Sequence, residues 1–196
     1  MEAGIAEDGL DRERAALFAL LGRLLSDPPD AALLARLRAL GGGDTRLGRA
    51  LAGLAAAAGE ADPAALEREH FNLFIGVGRG ELMPYASWYL TGFLQDRPLA
   101  DLRAALRRLG VERAPGVPEP EDHIAFLCET LAGLIEGRFA GGPEKATIFF
   151  GRHLRPWAAR FFGDLEKAEA ARFYRAVGAL GRAAVEIEAA AADMPG

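Results

Sequence analysis

Residues equipped for chemistry are sparse in this chain, and they gather in one stretch. Glu119-Pro120-Glu121-Asp122-His123 places three carboxylates and an imidazole within five positions, followed by the apolar run Ile124-Ala125-Phe126-Leu127-Cys128. Between residues 112 and 136 six acids accompany one base, Arg113, and this local excess of five negative charges equals the net charge of the whole protein. Such a cluster has two readings. Acids in a first helical turn complement the helix dipole and cap free N–H groups, and proline there is a routine start signal. Carboxylates beside a hinge also receive arginines, because desolvated charge-assisted pairs are strong.

Other chemistries find less support. Three histidines, His70, His123 and His153, offer no His-x-x-x-His pair, and one cysteine offers no Cys-x-x-Cys, so nothing seeds a metal site and none is expected. The glycine loop Gly76-Val77-Gly78-Arg79-Gly80 follows a helical pattern rather than a strand and lacks the lysine and hydroxyl of a phosphate-binding loop, so it reads as a flexible connection. Ser87 has no nucleophile-elbow context. Cys128 falls on an apolar stripe, where an inert buried thiol is the default. Asp122 and His123 are adjacent, and adjacent helical residues diverge by about 100°, so they do not orient each other as an acid–base dyad. No catalytic residue and no cofactor is expected.

The elements that must position these groups are helical. Leucines at 17, 20, 21, 24 and 25 keep helical spacing up to Pro28-Pro29, and Asp30, Asp44, Asp62-Pro63 and Asp96 each stand where a helix begins. Ser87 to Leu94, with Trp88, Tyr89 and Phe93, competes between helix and strand. The segment 111–120 carries Pro115, Pro118 and Pro120 and reads as a hinge. From Pro120 a helix is expected, with Ile124, Leu127, Cys128, Leu131, Leu134 and Ile135 on its inner face. After Gly141-Gly142-Pro143 another carries Phe150, Leu154, Trp157 and Phe161 and should kink at Pro156, and a last one runs from about Asp164 to Ala192. The expected fold is all-α: a single bundle of roughly eight to ten helices over 1–196, hinged at about 111–120.

Bulk numbers agree. The 196 residues suffice for one domain with a sizeable core, and 51% hydrophobic with 26% charged residues is a globular composition. A net charge of −5 disfavours nucleic acid as a partner. No run approaches the roughly 18 apolar residues of a membrane span. The acidic start, Met1-Glu2-Ala3-Gly4-Ile5-Ala6-Glu7-Asp8, lacks signal-peptide character, so a cytoplasmic location is expected.

Three blocks, in order, resemble the TorD-type chaperones that mature redox enzymes, the relatives of DmsD and NarJ. Glu69-His70-Phe71-Asn72-Leu73-Phe74-Ile75-Gly76, continuing through Met83-Pro84-Tyr85-Ala86-Ser87-Trp88-Tyr89-Leu90, is similar to Glu-x-x-(Arg/Asn)-Leu-Phe-x-Gly and Pro-Pro-Tyr-x-Ser-x-Tyr-Leu. Glu119-Pro120-Glu121-Asp122-His123-Ile124 is similar to the hinge motif Glu-Pro-x-Asp-His-(Ile/Leu). Phe149-Phe150-Gly151-Arg152-His153-Leu154-Arg155-Pro156-Trp157 is similar to Phe-x-x-x-His-Leu-x-Pro-Trp. Met83 and Val77 depart from the family's prolines, which bears on local loop geometry.

The resemblance implies a chaperone rather than an enzyme. Its partner would be the twin-arginine leader, and sometimes the apo-catalytic subunit, of a molybdopterin-dependent oxidoreductase, held until cofactor insertion precedes export. The client is left open between formate dehydrogenase, whose partners the block at 85–90 resembles, and a DMSO/TMAO-reductase-like enzyme. By the resemblance Asp122 and His123 are the core contacts, Glu119 and Glu121 a charged rim, and Tyr85, Ser87 and Trp88 the groove lining. The alternatives are a GTP-binding maturation factor and an assembly subunit that recognises a folded enzyme surface. The state implied is a monomer or a swapped homodimer.

Overall fold

Capping side chains and prolines set the boundaries of nearly every element. The computed structural model describes residues 2–113, 116, 118–139 and 142–193. They form ten α-helices: α1 Glu2–Ser26, α2 Ala31–Arg38, α3 Arg46–Glu60, α4 Pro63–His70, α5 Ala86–Thr91, α6 Arg97–Leu109, α7 Ile124–Ile135, α8 Gly142–His153, α9 Ala158–Lys167 and α10 Phe173–Ala192. A π-helical turn, Phe71–Ile75, extends α4. The described residues contain no strand, and the protein is all-α. Of the expected hinge and spacer residues, Pro115 and Gly141 lie outside the described residues.

Asp30, Asp62 and Asp96 cap as their positions imply: their carboxylates accept N–H groups from Leu33 at 2.7 Å, Ala65 at 2.8 Å and Arg97 at 2.7 Å. Three expectations need correction, and one open alternative is resolved. The third helix is capped by Thr45, whose hydroxyl takes the Gly48 N–H at 3.0 Å, and not by Asp44. The competing strand at 87–94 is instead α5, ended by Gly92 in the left-handed region at φ 81°. Pro156 does not kink a continuous helix. The chain leaves α8 at His153 and restarts at Ala158, since Pro156 can neither donate nor sit behind a helical carbonyl without a clash. Asp164 lies inside α9, and the last helix begins only at Phe173, after a turn at 168–172.

The chain divides into two compact units. One comprises Met1–Arg23 and Tyr85–Pro156, the other Leu24–Pro84 and Trp157–Gly196. In the first, α7 is the central helix: ten of its twelve residues are buried, so its apolar stripe is nearly a full circumference. It packs on α8, and α5 packs on α6. In the second unit α10 packs on α9, α3 and α4. Its approach to α9 depends on Gly181, where an added Cβ would sit 2.1 Å from the Phe162 ring. The start of α10 is held from α4: the buried Glu69 carboxylate accepts the N–H groups of Arg172 at 2.7 Å, Phe173 at 3.3 Å and Tyr174 at 2.8 Å.

Candidate functional site

In the first unit the acidic turn meets the start of α5, which lies some 35 residues earlier in the chain. Tyr85 and His123 form an isolated antiparallel bridge pair, and the Ala86 N–H donates to the Asp122 carbonyl at 3.0 Å. Below them, one oxygen of the Asp122 carboxylate accepts both the Ser87 N–H at 2.9 Å and the Ser87 hydroxyl at 2.5 Å. Its other oxygen is buried without a hydrogen-bond partner among the described residues. Asp122 therefore supplies from a distance the cap that Tyr85 does not supply locally, since Tyr85 makes no side-chain cap bond.

This use of Asp122 decides where α7 starts. The expected helix from Pro120 does not form. Residues 120–123 make a turn closed by the His123 N–H on the Pro120 carbonyl at 3.1 Å, and α7 begins at Ile124. His123 is its N-cap: Nδ1 accepts the Ala125 N–H at 3.2 Å, which leaves the proton of the neutral ring on Nε2. The imidazole stands edge-on to the Tyr85 ring, with centroids 5.2 Å apart.

The seven residues singled out from sequence fall into two layers of this structure. Asp122 is 1% exposed and Ser87 0% exposed. Glu119 is exposed, and Tyr85, Trp88, Glu121 and His123 are half-buried. The Tyr85 hydroxyl donates to the Glu119 carboxylate at 2.5 Å; burial first, and this bond second, push the phenol well above its ordinary range. Burial pushes Glu121 up, but hydrogen bonding and charge from Arg103 outweigh it, and its carboxyl lies below the usual range.

Two arginines that sequence reasoning did not assign to the site stand at this turn. Arg103 of α6 donates Nε at 2.9 Å and Nη2 at 2.8 Å to the same oxygen of Glu121. Arg113 donates to the backbone carbonyl of Glu119 at 2.8 Å. Helical periodicity marks Arg103 only as a solvent-facing residue of α6; nothing in its spacing names an acid 18 positions away.

The remaining chemical candidates have structural explanations. Cys128 is fully buried in α7, and burial pushes its thiol up, away from the nucleophilic form. The glycine loop folds back on the π-helical turn: a Cβ at Gly80 would lie 2.6 Å from the Leu73 carbonyl oxygen, and the Gly76 N–H donates to the Phe71 carbonyl at 2.7 Å. Close backbone approach accounts for those glycines. Among the described residues no group of three or more His, Cys, Asp and Glu side chains is placed to hold a metal ion. No helix among them is long and apolar enough to cross a membrane.

A helical protein with this architecture has been seen before. A crystal structure described as that of a redox enzyme maturation protein from Archaeoglobus fulgidus superposes with a TM-score of 0.55, over 88% of this chain and 93% of that one, at 19% identity. The two proteins share one all-α fold.

The nitrate reductase delta subunit family model matches residues 41–163, and the chain belongs to that family, the TorD/NarJ family. Curated relatives include the chaperone protein TorD of Aliivibrio fischeri, 29% identical over 122 residues, 57% of each chain. That of Vibrio cholerae is 27% identical over 130 residues, 62% of this chain and 59% of the relative. The chain thus matches under two thirds of the length of either relative. The matched segment contains the starts of both α5 and α7.

Proposed function

We propose that the protein is a maturation chaperone that binds the twin-arginine leader of a molybdopterin-dependent oxidoreductase at the surface formed by residues 119–123 and the start of α5. One observation carries this reading: two family-motif blocks far apart in sequence are bonded into one structure by Asp122, with carboxylates at its surface. Glu119 and Glu121 are the arginine receivers, with Tyr85, Trp88 and His123 flanking them. Asp122 and Ser87 act behind them as positioning residues. A carboxylate accepts about four hydrogen bonds, and the Tyr85 hydroxyl uses one of those on Glu119, which leaves room for a guanidinium. The same contacts serve the apo-catalytic subunit while its leader is attached.

Calorimetric titration with a synthetic twin-arginine leader tests the assignment. Wild-type protein binds it, and the double variant Glu119→Gln/Glu121→Gln binds about 10-fold more weakly, a loss of ~1.4 kcal/mol. Equal affinity in the double variant would move the site elsewhere. Absence of any leader binding, with capture of the leaderless enzyme retained, would favour recognition of a folded enzyme surface.

A further inference from the structure

The first unit also holds a cavity of about 440 Å³ that the acidic turn does not use, lined from α5, α6, α7 and α8. Its apolar part is formed by Ala86, Leu90, Leu102 and Leu127, and its polar part by Asp101, Arg108, Arg152 and His153. Among the described residues neither guanidinium is hydrogen-bonded or ion-paired. Burial foremost, then the charge of Arg152, hold His153 down at about 4, while Asp101 pulls it up and Arg108 pushes it down further. The three charges are therefore grouped around one imidazole that is neutral near pH 7. Two arginines against one aspartate leave the lining one positive charge in excess, in a protein whose net charge is −5.

We propose that this cavity binds a carboxylate side chain of a client polypeptide, an Asp or Glu flanked by bulky apolar residues. Two planar guanidiniums without a partner among the described residues suit a carboxylate, which they meet through paired N–H donors. The volume falls within the roughly 300–1,000 Å³ of ligand pockets. A polypeptide rather than a small acid is indicated by bare apolar side chains at the cavity and close in sequence to its lining residues. Leu90 is 42% exposed, and Phe93 and Leu94, just past the end of α5, are 71% and 47% exposed. Ile148 stands one helical turn before Arg152 on the same face of α8 and is 50% exposed. A small acid would leave these side chains in water, whereas a chain passing through the cavity covers them.

This goes beyond the leader reading and does not depend on it, because the recognised group has the opposite charge. The test uses the full chain and a fluorescein-labelled, end-blocked peptide Leu-Leu-Glu-Leu-Leu, its Gln counterpart, and sodium hexanoate, with fluorescence anisotropy as readout. The Glu peptide binds at least 10-fold more tightly than the Gln peptide. Arg108→Gln/Arg152→Gln abolishes that preference while retaining the helical circular dichroism spectrum and leader affinity. NMR titration of the His153 ring moves its midpoint upward from about 4 when the Glu peptide is bound. Equal binding of the two peptides by wild-type protein, or no binding, would overturn the proposal whatever the variant does. Hexanoate raising the His153 midpoint in the NMR titration, with no binding of the Glu peptide, would overturn it in favour of a small organic acid.

Discussion

Ser87 and Asp122 set the geometry of the acidic turn without lying at its surface, so substitutions there should read out first as stability. Ser87→Ala removes the shorter of two bonds to a buried carboxylate whose second oxygen already lacks a partner among the described residues. A loss of about 1–3 kcal/mol is expected, from the cost of leaving a buried acceptor less satisfied, measured by urea unfolding. Arg103 gives the complementary prediction. Because both its donors rest on Glu121, a leader arginine must compete with it for that carboxylate. Arg103 is 46% exposed, so the native pair is worth little. Arg103→Gln should therefore leave the unfolding midpoint unchanged and tighten leader binding a few-fold; weaker binding would mean that Arg103 orders Glu121 rather than occupies it.

Glu69 carries the corresponding argument at the level of elements. It ties the end of α4 to three N–H groups at the start of α10, which no residue of the 168–172 turn caps. Glu69→Ala strands those donors and should cost on the order of 3 kcal/mol, with Glu69→Gln costing less because its amide oxygen still accepts. Urea unfolding of both variants ranks them. This latch also marks what sequence could reveal. Caps at Asp30, Asp62 and Asp96 were legible because a local cap and its helix share one short window. The starts of α7 and α10 were not, because carboxylates 35 to 105 residues away hold α5 and α10, and a histidine replaces the usual cap at α7. The candidate site was legible as two motif blocks. Their juxtaposition was not, nor was the arrival of Arg103, because both are tertiary placements.

Across the whole molecule each compact unit carries a histidine held below its ordinary range, the half-buried His153 in the first and the buried His70 in the second. Burial is the leading cause for both; at His70 it outweighs the opposing pull of Asp27 and of the Leu25 carbonyl. A histidine lowered on folding binds its proton more readily in the unfolded chain, so the unfolded state takes up protons first as pH falls. Stability contributed by the neutral ring is fully present above the unfolded value of 6.5 and is lost progressively down to the folded value, about 4 for His153. Acidification also reduces the net negative charge and with it self-repulsion, an opposing effect. That repulsion is already weakened at physiological salt, where charges more than about 8 Å apart are largely screened. The histidines should win, and the thermal midpoint should fall from pH 7 to pH 5, a window in which ordinary carboxylates remain ionised. His153→Gln should make that fall shallower, whereas an unchanged slope would show that His153 takes no part in it.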